Sequence, residues 1–202
     1  VQAGDESLNM SAIAGLWSFD GSVNAEQLCI LSLASLAPYG VKRRQLVPGA
    51  RFSMGVCLSE LLPEDSFDRQ PLIANDGSVL IADARLDNRA DLVRTLKLSH
   101  ADQMADSQIL LVAWQTWEEK CVRYLRGAFV FAVWQERDRR LFIARDQVGE
   151  RPLYYSAGSN FFSFASMPKG LYVLPFVSSE VDEDYVARYL AMVSTPIQRT
   201  IF

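Results

Sequence analysis

An α+β domain, built from two packed sheets flanked by helices, is the architecture that this 202-residue sequence predicts. Three observations carry that expectation. Strand-like runs come in pairs joined by short turn signals, and segments with helical spacing lie between the pairs. Half of the residues are apolar and 22% are charged, an ordinary globular balance that supplies one sizeable core rather than two. Layered sheets covered by helices are the stable way to bury such elements.

Taken in order, Ile13 to Phe19 reads as a short apolar strand that stops at the turn Asp20-Gly21. Asn24 to Ala37 places Leu28, Leu31, Leu33 and Leu36 at helical spacing and ends at Pro38-Tyr39-Gly40. Arg51 to Leu58 is a strand, followed by a polar loop with Pro63, Glu64 and Asp65. Asn75-Asp76-Gly77 is a turn between strands at Pro71 to Ala74 and Ser78 to Leu86. Asn88 opens a helix reaching about Lys97, and Asp106 is placed to cap the next, which carries Leu110, Leu111, Trp114 and Trp117. Phe129 to Gln135 and Leu141 to Arg145 form a hairpin around the charged turn Glu136 to Arg140. A second hairpin joins Leu153 to Ser156 with Phe161 to Ala165 through Gly158-Ser159-Asn160. A short helix starts at Pro168, and another begins at Asp182 or Glu183 and covers Tyr185 to Val193. The composition changes near 178–182, and no internal repeat is visible.

Several function classes are disfavoured at this stage. Twenty basic residues against 24 acidic ones leave a net charge of −4. The basic runs Lys42-Arg43-Arg44 and Arg137 to Arg140 fall where turns are expected, so they read as solvated surface, with no stripe for nucleic acid. The longest apolar run, Ala128 to Trp134, is far short of the roughly 20 residues of a membrane span. Val1 to Asn9 carries Asp5 and Glu6 and has no apolar centre, unlike a secretory signal. Cys29, Cys57 and Cys121 show no paired spacing and His100 is the only histidine, so no metal site is expected, and a reducing cytoplasm is.

The pattern alone carries no chemistry. A resemblance does. Leu141-Phe142-Ile143-Ala144-Arg145-Asp146, followed by Gly149-Glu150-Arg151-Pro152-Leu153-Tyr154-Tyr155, resembles a segment of the glutamine-hydrolysing asparagine synthetases. Phe164-Ala165-Ser166-Met167-Pro168-Lys169-Gly170-Leu171, Leu125-x-Gly127-x-Phe129-x-Phe131-Ala132, Arg69-Gln70-Pro71-Leu72 and Met10 to Gly15 resemble the same family in the same order. The resemblance implies the four-layer αββα sandwich of the N-terminal-nucleophile (Ntn) hydrolase and class II glutamine amidotransferase type.

It also implies a site that releases ammonia from glutamine, and the positions that match its parts are altered. The nucleophile is a cysteine exposed as residue one, its own amine serving as base. The matching residue is Ser11, whose amine is joined to Met10 unless processing frees it. The oxyanion donors, an Asn-Gly pair in the family, fall at Ala82 and Asp83. Losing one such donor costs about 2.7–4 kcal/mol of transition-state stabilisation. The arginine that clamps the substrate carboxylate falls at or next to Cys57, where a bidentate contact is lost. Asp106 matches the aspartate that holds the substrate amine, though a helix cap is a sufficient reason for it. No active catalytic residue is expected.

Relatives of the asparagine synthetases whose attacking amine is already on the substrate need no ammonia, among them β-lactam synthetases and lasso peptide macrocyclases. Met10 to Gly21, Leu61 to Leu72 and Ser166 to Gly170 are most similar to the lasso cyclases. These enzymes use ATP to join an acidic side chain of a precursor peptide to the peptide's own N-terminal amine. The expected organisation is an extension or cloning remnant at 1–9, a degenerate glutaminase-like domain at 10–178, and at 179–202 a linker and the start of a synthetase domain otherwise absent. Asp184-Tyr185, Arg188-Tyr189-Leu190 and Arg199 to Phe202 resemble that start. No cofactor is expected in this chain, with ATP and magnesium implied for the synthetase domain. The expected partners are that domain, the precursor peptide and other lasso maturation proteins, with neither nucleic acid nor membrane. The alternatives are a glutamine-hydrolysing asparagine synthetase domain that uses a processed Ser11, and a stand-alone interaction module.

Overall fold

A computed structural model describes residues 10–40 and 42–193. The proposed extension at 1–9 and the segment Arg199 to Phe202 lie outside the described residues. Two antiparallel sheets face one another. The first contains β1 (Ala12–Ser18), β2 (Arg43–Val47), β3 (Phe52–Leu58), β8 (Tyr154–Ala157) and β9 (Phe161–Ala165), in the order β2-β3-β1-β9-β8. The second contains β4 (Leu72–Ile73), β5 (Val79–Leu86), β6 (Gly127–Gln135) and β7 (Arg140–Arg145), in the order β4-β5-β6-β7. Helices α1 (Ala25–Ser35) and α4 (Lys169–Tyr172) cover the first sheet, and α3 (Asp106–Trp117), beside α2 (Arg89–Thr95), covers the second. The result is the expected αββα sandwich, with one further helix, α5 (Glu183–Leu190), after it.

Strand periodicity explains how the layers are filled. In β6, Val130, Ala132 and Trp134 point into the core between the sheets, while Phe129, Phe131 and Val133 point toward α3. Both faces of this central strand are covered, so its sequence is an unbroken apolar run rather than an alternating one. In β1, Ala12, Ala14 and Leu16 pack toward α1, and Ile13 packs between the sheets. Gly15 has no alternative in this layer: a Cβ there would lie 2.4 Å from the Phe164 ring.

Most elements start and stop where the turn residues place them. Asn24 caps α1 by accepting from the Gln27 N–H at 3.2 Å, and Asp182 caps α5 in the same way. Two expectations are corrected. The basic run at 42–44 does not form a turn: Arg43 and Arg44 belong to edge strand β2, paired with Leu58 and Cys57 of β3. Charged residues are tolerated there because an edge strand has one open side, and they discourage further pairing. The cap of α3 is Ala105 rather than Asp106. The Ala105 N–H donates to Gln108 Oε1 at 2.7 Å, leaving the Asp106 carboxylate to other partners.

Candidate functional site

Ser11 precedes β1 and continues the face of Ile13, so it sits at one end of the space between the sheets. Its Oγ accepts from the Ser59 N–H at 3.0 Å, which ties it to the segment after β3. A cavity of about 60 Å³ opens beside it, lined among others by Asp68, Gln70, Asp83, Asp106 and Arg151. That is room for a few ordered waters.

Asp83 lies across the cavity on β5. Its neighbours Ala82 and Ala84 belong to the α3 side, as strand alternation requires, and Asp83 takes the inner face with Ile81. The carboxyl is 7% exposed and sits 3.5 Å from Arg151 Nε, with the Ser11 N–H toward it. Burial pushes its pKa up to about 7, against the opposing pull of Arg151. Of the two positions matched to the oxyanion donors, only Asp83 presents its side chain to Ser11. The Ala82 methyl packs in the outer core, and both of its backbone groups are engaged by Gln70: the N–H donates to Oε1 at 2.5 Å, and the C=O accepts from Nε2 at 2.9 Å. An acidic group therefore stands where an oxyanion would need donors, and the neighbouring amide is occupied.

Gln70 does more than the sequence revealed. It also donates to Asp68 Oδ2 at 2.9 Å, and Asp68 Oδ1 accepts from the Ser107 hydroxyl at 2.9 Å, linking the loop before β4 to both β5 and α3. Burial raises the Asp68 pKa, opposed by the bonds from Gln70 and Ser107. Arg151 is placed by its own loop. Asp146 accepts from the N–H groups of Val148, Glu150 and Arg151 at 3.1, 2.9 and 3.1 Å. Burial disfavours the Asp146 charge, but backbone N–H donors, those of Glu150 and Arg151 foremost, outweigh it and hold its pKa below the ordinary value. Gln70 and Arg151 both stand in the strings that carry the resemblance, yet nothing in spacing or periodicity says where their side chains point.

The remaining candidates are not all brought to Ser11. Asp106 lines the cavity, but its carboxylate accepts from the Leu86 N–H at 2.7 Å and from Arg89 Nη1 at 2.5 Å. Arg89 is held in turn by the carbonyls of Ala101 and Met104. Burial raises the Asp106 pKa against these partners. Cys57 is separate from the site. Alternation in β3 turns it toward α1, where its Sγ donates to the Leu33 carbonyl at 3.3 Å. Burial pushes its thiol up to about 11, and those of Cys29 and Cys121 to about 12 and about 11, so none is a ready nucleophile. His100 is exposed in the loop before α3 and does not line the cavity.

Ser11 is thus left without a histidine or thiol neighbour. Among the described residues, no group of three or more His, Cys, Asp or Glu is arranged to hold a metal ion. Ser156 to Asn160 form the β8–β9 hairpin, closed by the Gly158 N–H on the Phe161 carbonyl at 3.0 Å, and offer no phosphate loop. No helix among them is long and apolar enough to cross a membrane.

A model of the glutamine amidotransferase domain family matches residues 10–202. The chain is 34% identical over 119 residues to asparagine synthetase [glutamine-hydrolyzing] 3 of Bacillus subtilis, covering 56% of this chain and 19% of that one. Asparagine synthetase [glutamine-hydrolyzing] 1 of the same organism is 32% identical over 97 residues, with coverage of 48% and 15%. A putative asparagine synthetase [glutamine-hydrolyzing] of Mycobacterium tuberculosis is 29% identical over 137 residues, with coverage of 65% and 21%. The chain therefore spans about a fifth of the length of these relatives. Among solved structures, glutamine phosphoribosylpyrophosphate amidotransferase from B. subtilis shares the fold at a TM-score of 0.62 and 17% identity, over 80% of this chain and 43% of that one.

Proposed function

We propose that this chain, which belongs to the glutamine amidotransferase domain family, is an asparagine synthetase-like domain that has stopped hydrolysing glutamine. One observation supports this above the others. The Asp83 carboxyl is buried beside Ser11, on the same cavity, where negative charge would have to develop. A carboxylate there repels the oxyanion of the tetrahedral intermediate. Arg151, a cation of the cavity wall, already faces Asp83. The thiol is also missing: position 11 is a serine, and Cys57 points into the α1 layer.

In the same proposal the domain belongs to a longer ATP-dependent ligase of the lasso cyclase type, in which residues 179–202 lead into the synthetase part. ATP and magnesium would serve that part. The reaction joins an acidic side chain of a precursor peptide to the peptide's N-terminal amine, so no ammonia is needed. This domain supports the synthetase part and takes part in docking the precursor or maturation proteins in the reducing cytoplasm.

The test is ammonia release from glutamine by the purified chain. None is expected, and release that Ser11→Ala abolishes would overturn the reading. The relatives' names favour a second reading, a glutamine-hydrolysing asparagine synthetase domain. It requires a mature N-terminus at Ser11, which intact-mass spectrometry detects.

A further inference from the structure

The end of the sandwich away from Ser11 has a different character. β1 carries the chain seven residues from that site, about 20 Å at a strand's rise, and ends among aromatic rings. Trp17 packs edge-on against Phe19 and Trp134 at centroid distances of 5.1 and 5.0 Å, and Trp134 stacks on Phe52 at 3.9 Å. Two cavities meet at Trp17 and Phe19. One, of about 290 Å³, is completed by Leu141, Ile143 and Phe162 and has a mostly apolar wall. The other, of about 660 Å³, runs past Phe52 and Trp134 to Arg51 and Arg139.

The charges on this groove are unbalanced. Glu136 accepts from Trp134 Nε1 at 2.6 Å, which fixes its carboxylate without neutralising it, so two cations share the groove with one anion. Arg51 and Arg139 are exposed and have neither an ion pair nor a side-chain hydrogen bond among the described residues. Two free guanidinium groups beside a ring-lined slot complement a bulky apolar side chain next to a carboxylate. Aromatic residues and arginine are the types that dominate binding energy at interfaces. The slot also borders β7, the edge strand of its sheet, along which an extended backbone can lie. Two cations with an acid between them do not make the basic track that a nucleic acid needs.

We propose that this groove docks an extended peptide segment in which a large apolar residue is followed by an acidic one. The apolar side chain enters the slot between Trp17, Phe19 and Phe162, and the carboxylate meets Arg51 and Arg139. The inference does not rest on the reading of the Ser11 cavity, because it uses none of that cavity's residues.

The experiment titrates the blocked hexapeptide Ser-Gly-Phe-Glu-Gly-Ser, which has no tryptophan, into the full chain and follows tryptophan emission and binding heat. Saturable binding is expected below about 1 mM. Exchanging the peptide's Glu for Lys, or combining Arg51→Glu with Arg139→Glu, weakens it about tenfold or more, because the charge-assisted contacts are lost. Exchanging the peptide's Phe for Ala abolishes saturation. Both arginines are on the surface, so the variant keeps the parent's circular dichroism and melting temperature. The proposal is overturned if the parent chain shows no saturation, or if the Glu and Lys peptides bind alike. It also fails if sedimentation shows a dimer that the arginine variant dissociates, or if single-stranded oligouridylate displaces the peptide.

Discussion

Replacing Asp83 by Asn changes how stability depends on pH, and the structure sets the size of the change. The folded protein raises the Asp83 pKa from 3.8 to about 7, while in the unfolded chain the group returns to its ordinary value. Between those two values the folded state keeps a proton that the unfolded state has released, so stability falls as pH rises through the window and is level above it. Each pH unit is worth about 1.4 kcal/mol, so the whole window costs about 4 kcal/mol, of which about 3 kcal/mol accrues between pH 5 and pH 8. Asn has no charge to bury. The Arg151 attraction acts only on the ionised carboxyl and is already contained in the pKa of about 7, so its loss in the variant adds no separate pH dependence. Urea unfolding of parent and Asp83→Asn should therefore show a difference that moves in the variant's favour by about 3 kcal/mol from pH 5 to pH 8. Taking the difference cancels the other titrating groups. Parallel curves, within about 0.5 kcal/mol over the whole range, would refute the claim that this carboxyl is buried at a charge cost.

The other predictions concern packing and chemistry around the same frame. Gln70→Leu leaves the buried N–H and C=O of Ala82 without partners and should cost about 2–4 kcal/mol in urea unfolding, with Ser11 still in place. Gly15→Ala forces a methyl to within 2.4 Å of the Phe164 ring and should lower stability by about 1–3 kcal/mol, visible as a lower Tm. Ser11→Cys should not restore ammonia release, since Asp83 still faces the new thiol. A glutaminase assay that detects turnover in this variant would contradict the assignment of Asp83 as the obstacle. All three cysteines are buried, with thiols raised to about 11 or about 12, so a disulfide reagent should label none of them until the protein is unfolded.

Much of the layer architecture was legible in the sequence because it rests on local rules. The turn Asn75-Asp76-Gly77, the cap Asn24 and the helical spacing of Leu33 and Leu36 act within a few residues of themselves. The strand at Phe129 to Gln135 was legible for the same reason, while its coverage on both faces came only with the packed layers. Strand β2 escaped notice because an edge strand rich in arginine looks like a solvated turn until Leu58 and Cys57 are beside it.

The site divides along the same line. Sequence by itself determined that Ser11 has no thiol and that the chain offers one histidine and three unpaired cysteines, because residue types are independent of folding. Only the tertiary structure decided which of Ala82 and Asp83 looks at Ser11, since a side chain's face depends on strand register and on what covers each side. It also turned Cys57 away toward α1 and committed Asp106 to Leu86 and Arg89. Gln70 clamps Ala82 and Arg151 faces Asp83 for a related reason. Both reach across from separate loops, and a contact between distant segments leaves no periodic trace in either one.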